Sequence, residues 1–312
     1  MASVATITMN PAVDISTSTK TVVPTRKLRC EEPTVQAGGG GINVARVVKR
    51  FGLDPVAIVA TGGSNGIRLV AAVEAEAIVV KAVPVSGMTR ESFTVTDRTT
   101  HDQFRFVLPG PVMHAEEAAA IFAALDELAP RPDYVVLSGS LPPGISPGSC
   151  LKVGAQVTAM GARLIADGPG EMLTACQHAY LVKPNEVELE AYVGRPLPDL
   201  AAQAMAARAM IAAGVAENVL VSLGEKGALL VATEGVFHYR APAVELVSAV
   251  GAGDSMVGGI VAGLATGQSL VDAVAQGTAA GAAAILTPHT ELSRIEDIER
   301  LRPAVTVERL DL

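Results

Sequence analysis

The sequence predicts an α/β fold, in which a mainly parallel sheet carries helices on both faces. Short β-branched runs alternate along the chain with longer segments of helical pattern. These runs are apolar throughout, as expected of strands that are buried on both faces. Of the 312 residues, 49% are hydrophobic but only 3% are aromatic, so small side chains dominate the core and suit helices packed closely on a sheet.

Six segments match a buried strand, namely 3–8, 56–60, 134–137, 163–166, 180–182 and 219–223. Helical patterns lie between several of them, at 42–51, 65–76, 116–128, 147–160 and 198–213. The stretch 256–286 is rich in Ala and Gly. Because Gln268, Asp272 and Gln276 interrupt it, we predict two buried helices with a short turn rather than a membrane span.

Two segments, 12–36 and 87–109, lack a convincing helical pattern. The second alternates polar and apolar residues around a Thr-Thr-His-Asp turn, which predicts a hairpin with one face in water. We expect the two segments to form a small β lid on a single domain that spans residues 1–312. Lids of this kind close over substrates or make contacts between subunits.

The net charge of −8 argues against nucleic acid or an anionic membrane as a partner. The three cysteines follow no C-x-x-C spacing, and the first residues lack the pattern of a signal peptide, so we expect free thiols and a cytoplasmic protein. Lys27, Arg29, Arg90 and Arg105 lie in or beside the lid segments. Such a grouping in an acidic protein predicts an anionic substrate group under the lid.

The stretch AGGGGINVAR (37–46) lets the backbone approach a ligand closely. The dinucleotide fingerprint G-x-G-x-x-G fails here, because Asn43 or Val44 stands in place of the third glycine, and the chain has no Walker A loop. Two interpretations stay open: a polar ligand that bonds to Asn43, or a tight turn between strand and helix. Asp14 follows the first strand, where α/β sheets bind ligands, but such a residue taken alone is more often an acid in a turn.

Two later stretches also have a structural and a functional interpretation. In LVKPNEVELE (181–190), Asn185 and Glu188 have the spacing of a capping box, and the alternative is that they face phosphate and the water shell of Mg²⁺. In VSLGEKGALL (221–230), the glycines predict a hairpin turn.

The stretch AVGAGDSMVGGI (249–260) raises the question of what Asp254 does. An acid before a helix is ordinarily an N-cap. The unpaired N–H groups of a helix start also attract anions, and an acid beside them is what a phosphoryl transfer needs as a base.

Taken together and in this order, these stretches resemble the pfkB family of ribokinase-like carbohydrate kinases. The matching segments are NPAVD (10–14), GGGGINVAR (38–46), SGSLPPG (138–144), KPNEVE (183–188), SLGEKG (222–227) and GAGDSM (251–256). The resemblance extends from about residue 4 to about residue 290. It is strongest to the phosphosugar branch, through KLRC (27–30), MTR (88–90) and QFRFVLPG (103–110).

The resemblance implies a ribokinase-like three-layer αβα fold, with a β lid that also forms a homodimer interface. It implies ATP-dependent phosphorylation of a sugar phosphate, with fructose 6-phosphate converted to fructose 1,6-bisphosphate. Fructose 1-phosphate and tagatose 6-phosphate are the alternative substrates. Mg²⁺ is the implied metal, and K⁺ near the GAGD loop is a further expectation.

The resemblance also assigns roles to residues. Asp254 would be the base, beside an anion hole of Gly251, Ala252 and Gly253. The sugar phosphate would contact Asp14, Lys27, Arg29, Gly39, Gly40, Asn43, Arg90, Arg105 and Ser138, with Lys27 and Arg29 reaching it from a partner subunit. ATP would contact Lys183, Asn185, Ser222, Gly224 and Gly227, and Glu188 would hold Mg²⁺ through water.

Two hypotheses of a different class remain. One is a catalytically silent regulator that binds sugar or nucleotide on the same fold, and the intact GAGD stretch counts against it. The other is an NAD-dependent oxidoreductase, and the failed dinucleotide fingerprint counts against that.

Overall fold

The structure is a computed structural model that describes residues 2–288 and 291–312. Within those ranges the strands are β1 (Val4–Thr8), β2 (Ala12–Thr19), β3 (Thr34–Gly38), β4 (Val56–Thr61), β5 (Val79–Pro84), β6 (Arg90–Asp97), β7 (Gln103–Val107), β8 (Tyr134–Ser138), β9 (Arg163–Asp167), β10 (Ala179–Val182), β11 (Ala216–Ser222), β12 (Ala228–Ala232), β13 (Gly235–Arg240) and β14 (Thr306–Leu310). The helices are α1 (Gly40–Arg50), α2 (Gly63–Glu74), α3 (Ala115–Asp126), α4 (Ser149–Ala159), α5 (Gly170–Ala175), α6 (Glu186–Val193), α7 (Leu200–Ala212), α8 (Ala252–Ala265), α9 (Leu270–Ile285) and α10 (Ile295–Leu301).

Ten strands form the main sheet, in the order β14-β13-β12-β11-β10-β9-β8-β1-β4-β5. The strands from β11 to β5 in this order are parallel, and β12, β13 and β14 add an antiparallel end. The predicted mainly parallel sheet is therefore confirmed, and all six predicted strands are present. Strands β5, β13 and β14 escaped the sequence analysis, and none of them is buried along its whole length.

Helices cover both faces of this sheet, and alternate residues of each strand point into two apolar layers. On β8, Leu137 packs into the layer that contains Ile121 of α3, while Val136 packs into the layer that contains Val48 of α1 and Ile260 of α8. The continuous apolar runs seen in the sequence follow from this burial on two sides. The result is the three-layer αβα arrangement that the sequence predicts.

The small residues of 256–286 allow three helices to pack closely on one face. The stretch forms most of α8 and all of α9, joined by a short turn, as predicted. A Cβ atom added at Gly258 of α8 would lie 2.6 Å from the Cβ atom of Val47, so α8 lies directly against α1. In the described part of the chain, every helix is too short or too polar to cross a bilayer.

The segments 12–36 and 87–109 contribute a second sheet, with the strand order β3-β2-β6-β7. Its β6–β7 hairpin is antiparallel, as predicted for the second segment, whereas β2 and β6 run parallel. The strand registers place Asp14, Arg90 and Arg105 on one face of this sheet. On the opposite face, Val13 packs against α2, but Phe106 stays 54% exposed.

Residues 20–33 connect β2 to β3 without regular structure, and several hydrogen bonds hold them to the small sheet. The N–H of Glu31 donates to the carbonyl of Ser18 at 2.9 Å, and the hydroxyl of Thr19 donates to the carbonyl of Arg29 at 3.0 Å. The carboxylate of Asp97 accepts from the N–H of Val22 at 2.7 Å. Lys27 and Arg29 are therefore carried on an exposed but tethered segment.

The contact between α1 and α8 predicts an unusual response to a helix-favouring substitution. We expect Gly258→Ala to lower the free energy of unfolding by up to about 2 kcal/mol, because overpacking against Val47 costs about 1–3 kcal/mol and the gain in helix propensity is about 1 kcal/mol. Val47→Gly removes the Cβ and Cγ1 atoms of Val47 that the added methyl group would meet, so the double variant should lose less than the sum of the single losses. Urea unfolding of the three variants measures this coupling, and strictly additive losses would contradict the close contact.

Candidate active site

The candidate site lies at the carboxyl edge of the main sheet. The neighbouring strands β10, β9, β8 and β1 are parallel, so the loops after them converge at one edge. The first turns of α1 and α8 reach the same edge. There the Nδ2 group of Asn43 donates a hydrogen bond to Oδ2 of Asp254 at 2.7 Å, although the two residues are far apart in the sequence.

Asp254 is not the N-cap of α8, so that interpretation is wrong. The N-cap is Gly251, whose φ of 75° lies in the left-handed region that favours glycine. Ala252 and Gly253 belong to the first turn of the helix rather than to a preceding loop, and Asp254 is the third helical residue. Its carboxylate is therefore turned toward Asn43 and the cleft. The first N–H groups of α8 have no intrahelical partner and can bind an anion.

The surroundings of Asp254 raise its pKa from 3.8 to about 6. Burial is the largest cause, and the negative charge of Asp167 adds to it. The hydrogen bond from Asn43 and the positive charge of Lys183 act in the opposite direction. A carboxylate with a pKa close to neutral accepts a proton more readily than an ordinary Asp, which is the property that a general base needs.

Lys183 and Asp167 form a buried ion pair beside the first turn of α8. The Nζ atom of Lys183 lies 2.9 Å from Oδ1 of Asp167, and their side chains are only 7% and 13% exposed. Burial opposes the charge of Lys183, but Asp167, Glu188 and Asp254 together hold its pKa above the usual value. A Cβ atom at Gly253 would lie 3.7 Å from Nζ, so the ammonium group borders the start of α8.

Asp167 is the site residue that the sequence analysis missed. It ends β9, immediately after the predicted strand 163–166. An acid at the end of a buried parallel strand is the same signal that drew attention to Asp14. That signal was therefore present in the sequence and could have identified Asp167.

Asp14 lies within β2, so it is a sheet residue and not an acid in a turn. Burial raises its pKa from 3.8 to about 6, although the charges of Arg90, Arg105 and Arg46 act to lower it. Its carboxylate lies over Gly38, where an added Cβ atom would be 2.0 Å from Oδ2. Asp14 and Asp254 also repel each other electrostatically, so the two carboxylates share one cleft.

The glycine run lies between Asp14 and the loop after β8, and it forms the tight turn between strand and helix that is one of its two interpretations. Helix α1 begins at Gly40, earlier than predicted, and Gly39 is its N-cap with a φ of 123°. A Cβ atom at Gly40 would lie 2.3 Å from the hydroxyl of Ser138. The turn therefore requires glycine for structural reasons, and the same close approach leaves backbone groups beside Asp14 and Asn43.

Arg90 connects the small sheet to the loops at the sheet edge. Its guanidinium group donates to the carbonyl of Leu108 at 3.0 Å and to the carbonyl of Asn10 at 3.1 Å. Its Nε atom is buried and has no hydrogen-bond partner among the described residues, and burial lowers its pKa. A cavity of about 580 Å³ opens beside it, lined by Asn10, Arg90, Leu108 and Ser140 and by the prolines after β8. The cavity and the buried donor suit an anionic ligand.

The other predicted cations differ in position. Arg105 is on the face of the small sheet that carries Asp14, and its charge acts on that carboxylate. Lys27 and Arg29 are exposed on the tethered segment, and neither lines the cavity within one chain. The structure of the single chain therefore brings Arg105 to the site but does not bring Lys27 and Arg29 there.

The stretch after β10 forms the capping box that the spacing predicts. Asn185 accepts from the N–H of Glu188 at 2.8 Å, and Glu188 accepts from the N–H of Asn185 at 2.8 Å. Ser222 donates its N–H to the carbonyl of Pro184 at 2.9 Å, which joins the end of β11 to the same loop. These contacts place Asn185, Glu188 and Ser222 beside Lys183.

The hairpin of β11 and β12 is antiparallel, as predicted, and its turn contains Gly224 and Gly227. A Cβ atom at Gly227 would lie 1.8 Å from the carbonyl oxygen of Tyr239, and its φ is 95°. The need for glycine at position 227 is thus structural. Gly224 has a φ of 59°. No atom lies within 4 Å of the position that a Cβ atom would occupy there, so this position faces open space.

These observations define the class of protein. Residues 4–297 match the pfkB family of carbohydrate kinases, and the chain belongs to this family. A relative from Mycobacterium tuberculosis, named ATP-dependent 6-phosphofructokinase isozyme 2, is 41% identical over 299 residues, which are 95% of this chain and 87% of the relative. The chain is also similar to phosphofructokinase-2 from Escherichia coli in crystal structures with fructose-6-phosphate and with potassium. Their TM-scores are 0.90 and 0.92, and each is 36% identical and covers 97% of this chain and 99% of its own.

The raised pKa of Asp254 predicts that the site lowers the stability of the ligand-free protein. The folded-state pKa exceeds the unfolded value, so ionised Asp254 destabilises the fold above pH 6, and this cost disappears as the pH falls toward 4. We expect Asp254→Asn to raise the free energy of unfolding at pH 8, by on the order of 2 kcal/mol. The gain should shrink toward zero near pH 4.

Urea unfolding of wild type and variant across this pH range measures the effect. Asp133→Asn is the matched control, because hydrogen bonds from Ser3 lower the pKa of Asp133. That substitution should destabilise the protein at pH 8. A destabilised Asp254→Asn variant at pH 8 would contradict the assigned electrostatics.

Proposed function

We propose that this chain is an ATP-dependent 6-phosphofructokinase, which transfers the γ-phosphoryl group of ATP to the 1-hydroxyl of fructose 6-phosphate. The observation that carries the proposal is the position of Asp254. Its carboxylate is held by Asn43, between the first turn of α8 and the cleft that contains Asp14 and Arg90. The named relative and the similar structure in complex with fructose-6-phosphate support the choice of substrate.

In the proposed reaction, the hydroxyl oxygen of the sugar attacks the γ-phosphorus of ATP in line with the leaving ADP oxygen. The O–H bond breaks and its proton passes to the carboxylate of Asp254, while a new O–P bond replaces the bond to ADP. The N–H groups of Gly251, Ala252 and Gly253 would stabilise the charge on the phosphoryl oxygens, and the ammonium group of Lys183 would assist them.

The substrate is held by groups on the opposite wall of the cleft in this proposal. Asp14 and Asn43 would bind sugar hydroxyls, with the backbone of Gly39 and Gly40 and the hydroxyl of Ser138 close to the ring. Ser138 suits this role, because its buried Oγ atom has no hydrogen-bond partner among the described residues. Arg90 and Arg105 would bind the phosphate already on the sugar, and a planar guanidinium group suits phosphate oxygens.

We propose that ATP lies along the other side of the anion-binding turn, against Lys183, Asn185, Ser222, Gly224 and Gly227. For Mg²⁺, the residues present fit: Glu188 offers a carboxylate, and one of its oxygens is already used in the capping box. A few carboxylates with several waters are the usual magnesium environment. When bound there, Mg²⁺ would offset the negative charge of the ATP phosphates.

A monovalent cation, K⁺, beside the GAGD loop is part of the proposal. The N–H groups of Val247 and Ser248 both donate to the carbonyl of Ile285, so the segment before the GAGD loop is attached to the C-terminal end of α9. The last carbonyl oxygens of a helix have no intrahelical partner. Such oxygens are suitable ligands for a hard cation. The similar structure in complex with potassium supports this part.

We further propose a homodimer formed by the small sheet as a lid on a single domain. Phe104, Phe106 and Val35 form an apolar band on its outer face, and these residues are 37%, 54% and 43% exposed. Contact with a second copy would bury this band. It would also let Lys27 and Arg29 reach the partner's substrate. The three unbonded cysteines suit the reducing cytoplasm, which is the proposed location.

The test of function is a panel assay of ATP consumption with fructose 6-phosphate, fructose 1-phosphate, tagatose 6-phosphate and fructose. We expect fructose 6-phosphate to give the highest kcat/KM. Because the base must be ionised, kcat/KM should fall as the pH drops below about 6. Asp254→Asn should keep the fold and lower kcat by about 10²–10⁴-fold.

The other outcomes separate the alternatives. A preference for fructose 1-phosphate or tagatose 6-phosphate would identify a different phosphosugar kinase. No turnover with any sugar would favour the catalytically silent regulator. Near-normal kcat in Asp254→Asn would exclude Asp254 as the base.

The proposed dimer predicts a linked effect on assembly and on substrate affinity. We expect Phe106→Ser to shift the protein toward monomers and to raise the KM for fructose 6-phosphate, because Lys27 and Arg29 then lose the partner's site. Sedimentation velocity and initial rates measure the two effects. Val79→Ser is the matched control, since Val79 is 62% exposed on the edge strand β5. A monomeric Phe106→Ser variant with an unchanged KM would contradict the role of the partner.

A further inference from the structure

The last turn of α1 makes contact with a segment that follows α9. The Nη1 group of Arg50 donates hydrogen bonds to the carbonyl oxygens of Leu292 at 2.6 Å and Ser293 at 2.8 Å. Both residues are fully buried in a stretch without regular structure. Backbone carbonyls buried in this way need partners, and one nitrogen atom of Arg50 provides a partner for two of them.

The same segment lies directly on the anion-binding turn of α8. A Cβ atom at Gly251 would be 2.6 Å from Cδ2 of Leu292, so the leucine side chain covers the N-cap of the helix. The N–H of Ser293 donates to the hydroxyl of Ser255 at 3.4 Å, and the N–H of Ser255 donates to the carbonyl of Gly251 at 2.8 Å. A displacement of Leu292 or Ser293 would therefore change the first turn of α8.

Helix α1 thus contacts the start of α8 in two ways. Asn43, in its first turn, bonds to Asp254 directly, and Arg50, in its last turn, holds the segment that covers Gly251. We propose that Arg50 is a positioning residue, which keeps the N–H groups of Gly251, Ala252 and Gly253 in the geometry that binds the transferable phosphoryl group. This inference rests on the anion-binding role proposed above for these three residues.

The surroundings of Arg50 disfavour its charged form. Burial lowers its pKa, the charge of Arg46 acts in the same direction, and the charges of Glu76 and Glu291 oppose them. Arg50 has no close carboxylate partner among the described residues, and its two acceptors are the carbonyls of the covering segment. Lys49, its neighbour in sequence, instead pairs with Asp54 at 2.6 Å, away from the site.

Calorimetric titration of ATP and ADP in the presence of Mg²⁺ and without sugar tests the proposal. ADP lacks the transferable phosphoryl group, so only ATP should depend on the positioned N–H groups. We expect Arg50→Met to weaken ATP binding by about tenfold and ADP binding by less than about twofold, with a comparable loss of kcat. The KM for fructose 6-phosphate should stay within about twofold.

Two further variants complete the design. Arg50→Lys keeps a charged donor group on a slightly shorter side chain and should recover part of the ATP affinity, and it replaces Arg50→Met if that variant does not fold. Lys49→Met should behave as wild type. The proposal is overturned if ATP and ADP weaken equally, if neither weakens, or if the wild type binds ATP no more tightly than ADP. Because binding is measured without turnover, failure of the kinase assay would be a separate result.

Discussion

The hydrogen bond between Asn43 and Asp254 is the interaction on which the candidate site depends. It joins the first turns of two helices that are widely separated in sequence but adjacent in space. The bond requires α1 and α8 to approach closely, and Gly258 against Val47 allows this. It also turns the Asp254 carboxylate away from helix capping and toward the cleft. The glycine run, the packing of small residues and the orientation of the proposed base therefore all depend on the close approach of α1 and α8.

The negative charges in the cleft are the second feature that defines the site, and they lower the stability of the folded protein. Asp14 and Asp254 both have pKa values raised to about 6, with burial as the largest cause. Asp167 adds repulsion to Asp254, and Lys183 offsets it only partly. A protein that needed only to fold would not gather these carboxylates at one sheet edge. The proposed site would gain from such an arrangement, because it would bind a cationic metal with ATP and remove a proton from a sugar.

The fold could be predicted from the sequence wherever burial of a strand produces a regular pattern of polar and apolar residues. Strands buried on both faces have continuous apolar runs, so all six were found, and the hairpin at β6 and β7 alternates because one face is wet. The exposed edges β5 and β14 have no such pattern and were missed. In the site, Asn43 and Asp254 were both identified from their stretches. Asp167 was overlooked although it ends a predicted strand, and its pairing with Lys183 could not be predicted because it depends on the neighbouring strand.

By itself the sequence determined the α/β class, the two segments that form the small sheet, the order of the motifs along the chain and the residue types available for chemistry. These follow from local periodicity and from spacing along the chain. Only the tertiary structure decided what Asp254 does at the start of α8, since an acid near a helix start can cap it or face a cleft. The outcome depends on whether a distant donor is in place, and Asn43 is brought there by the packing of α1 on α8. The contact of Arg50 with Leu292 and Ser293 was decided in the same way, because no local pattern relates the two segments.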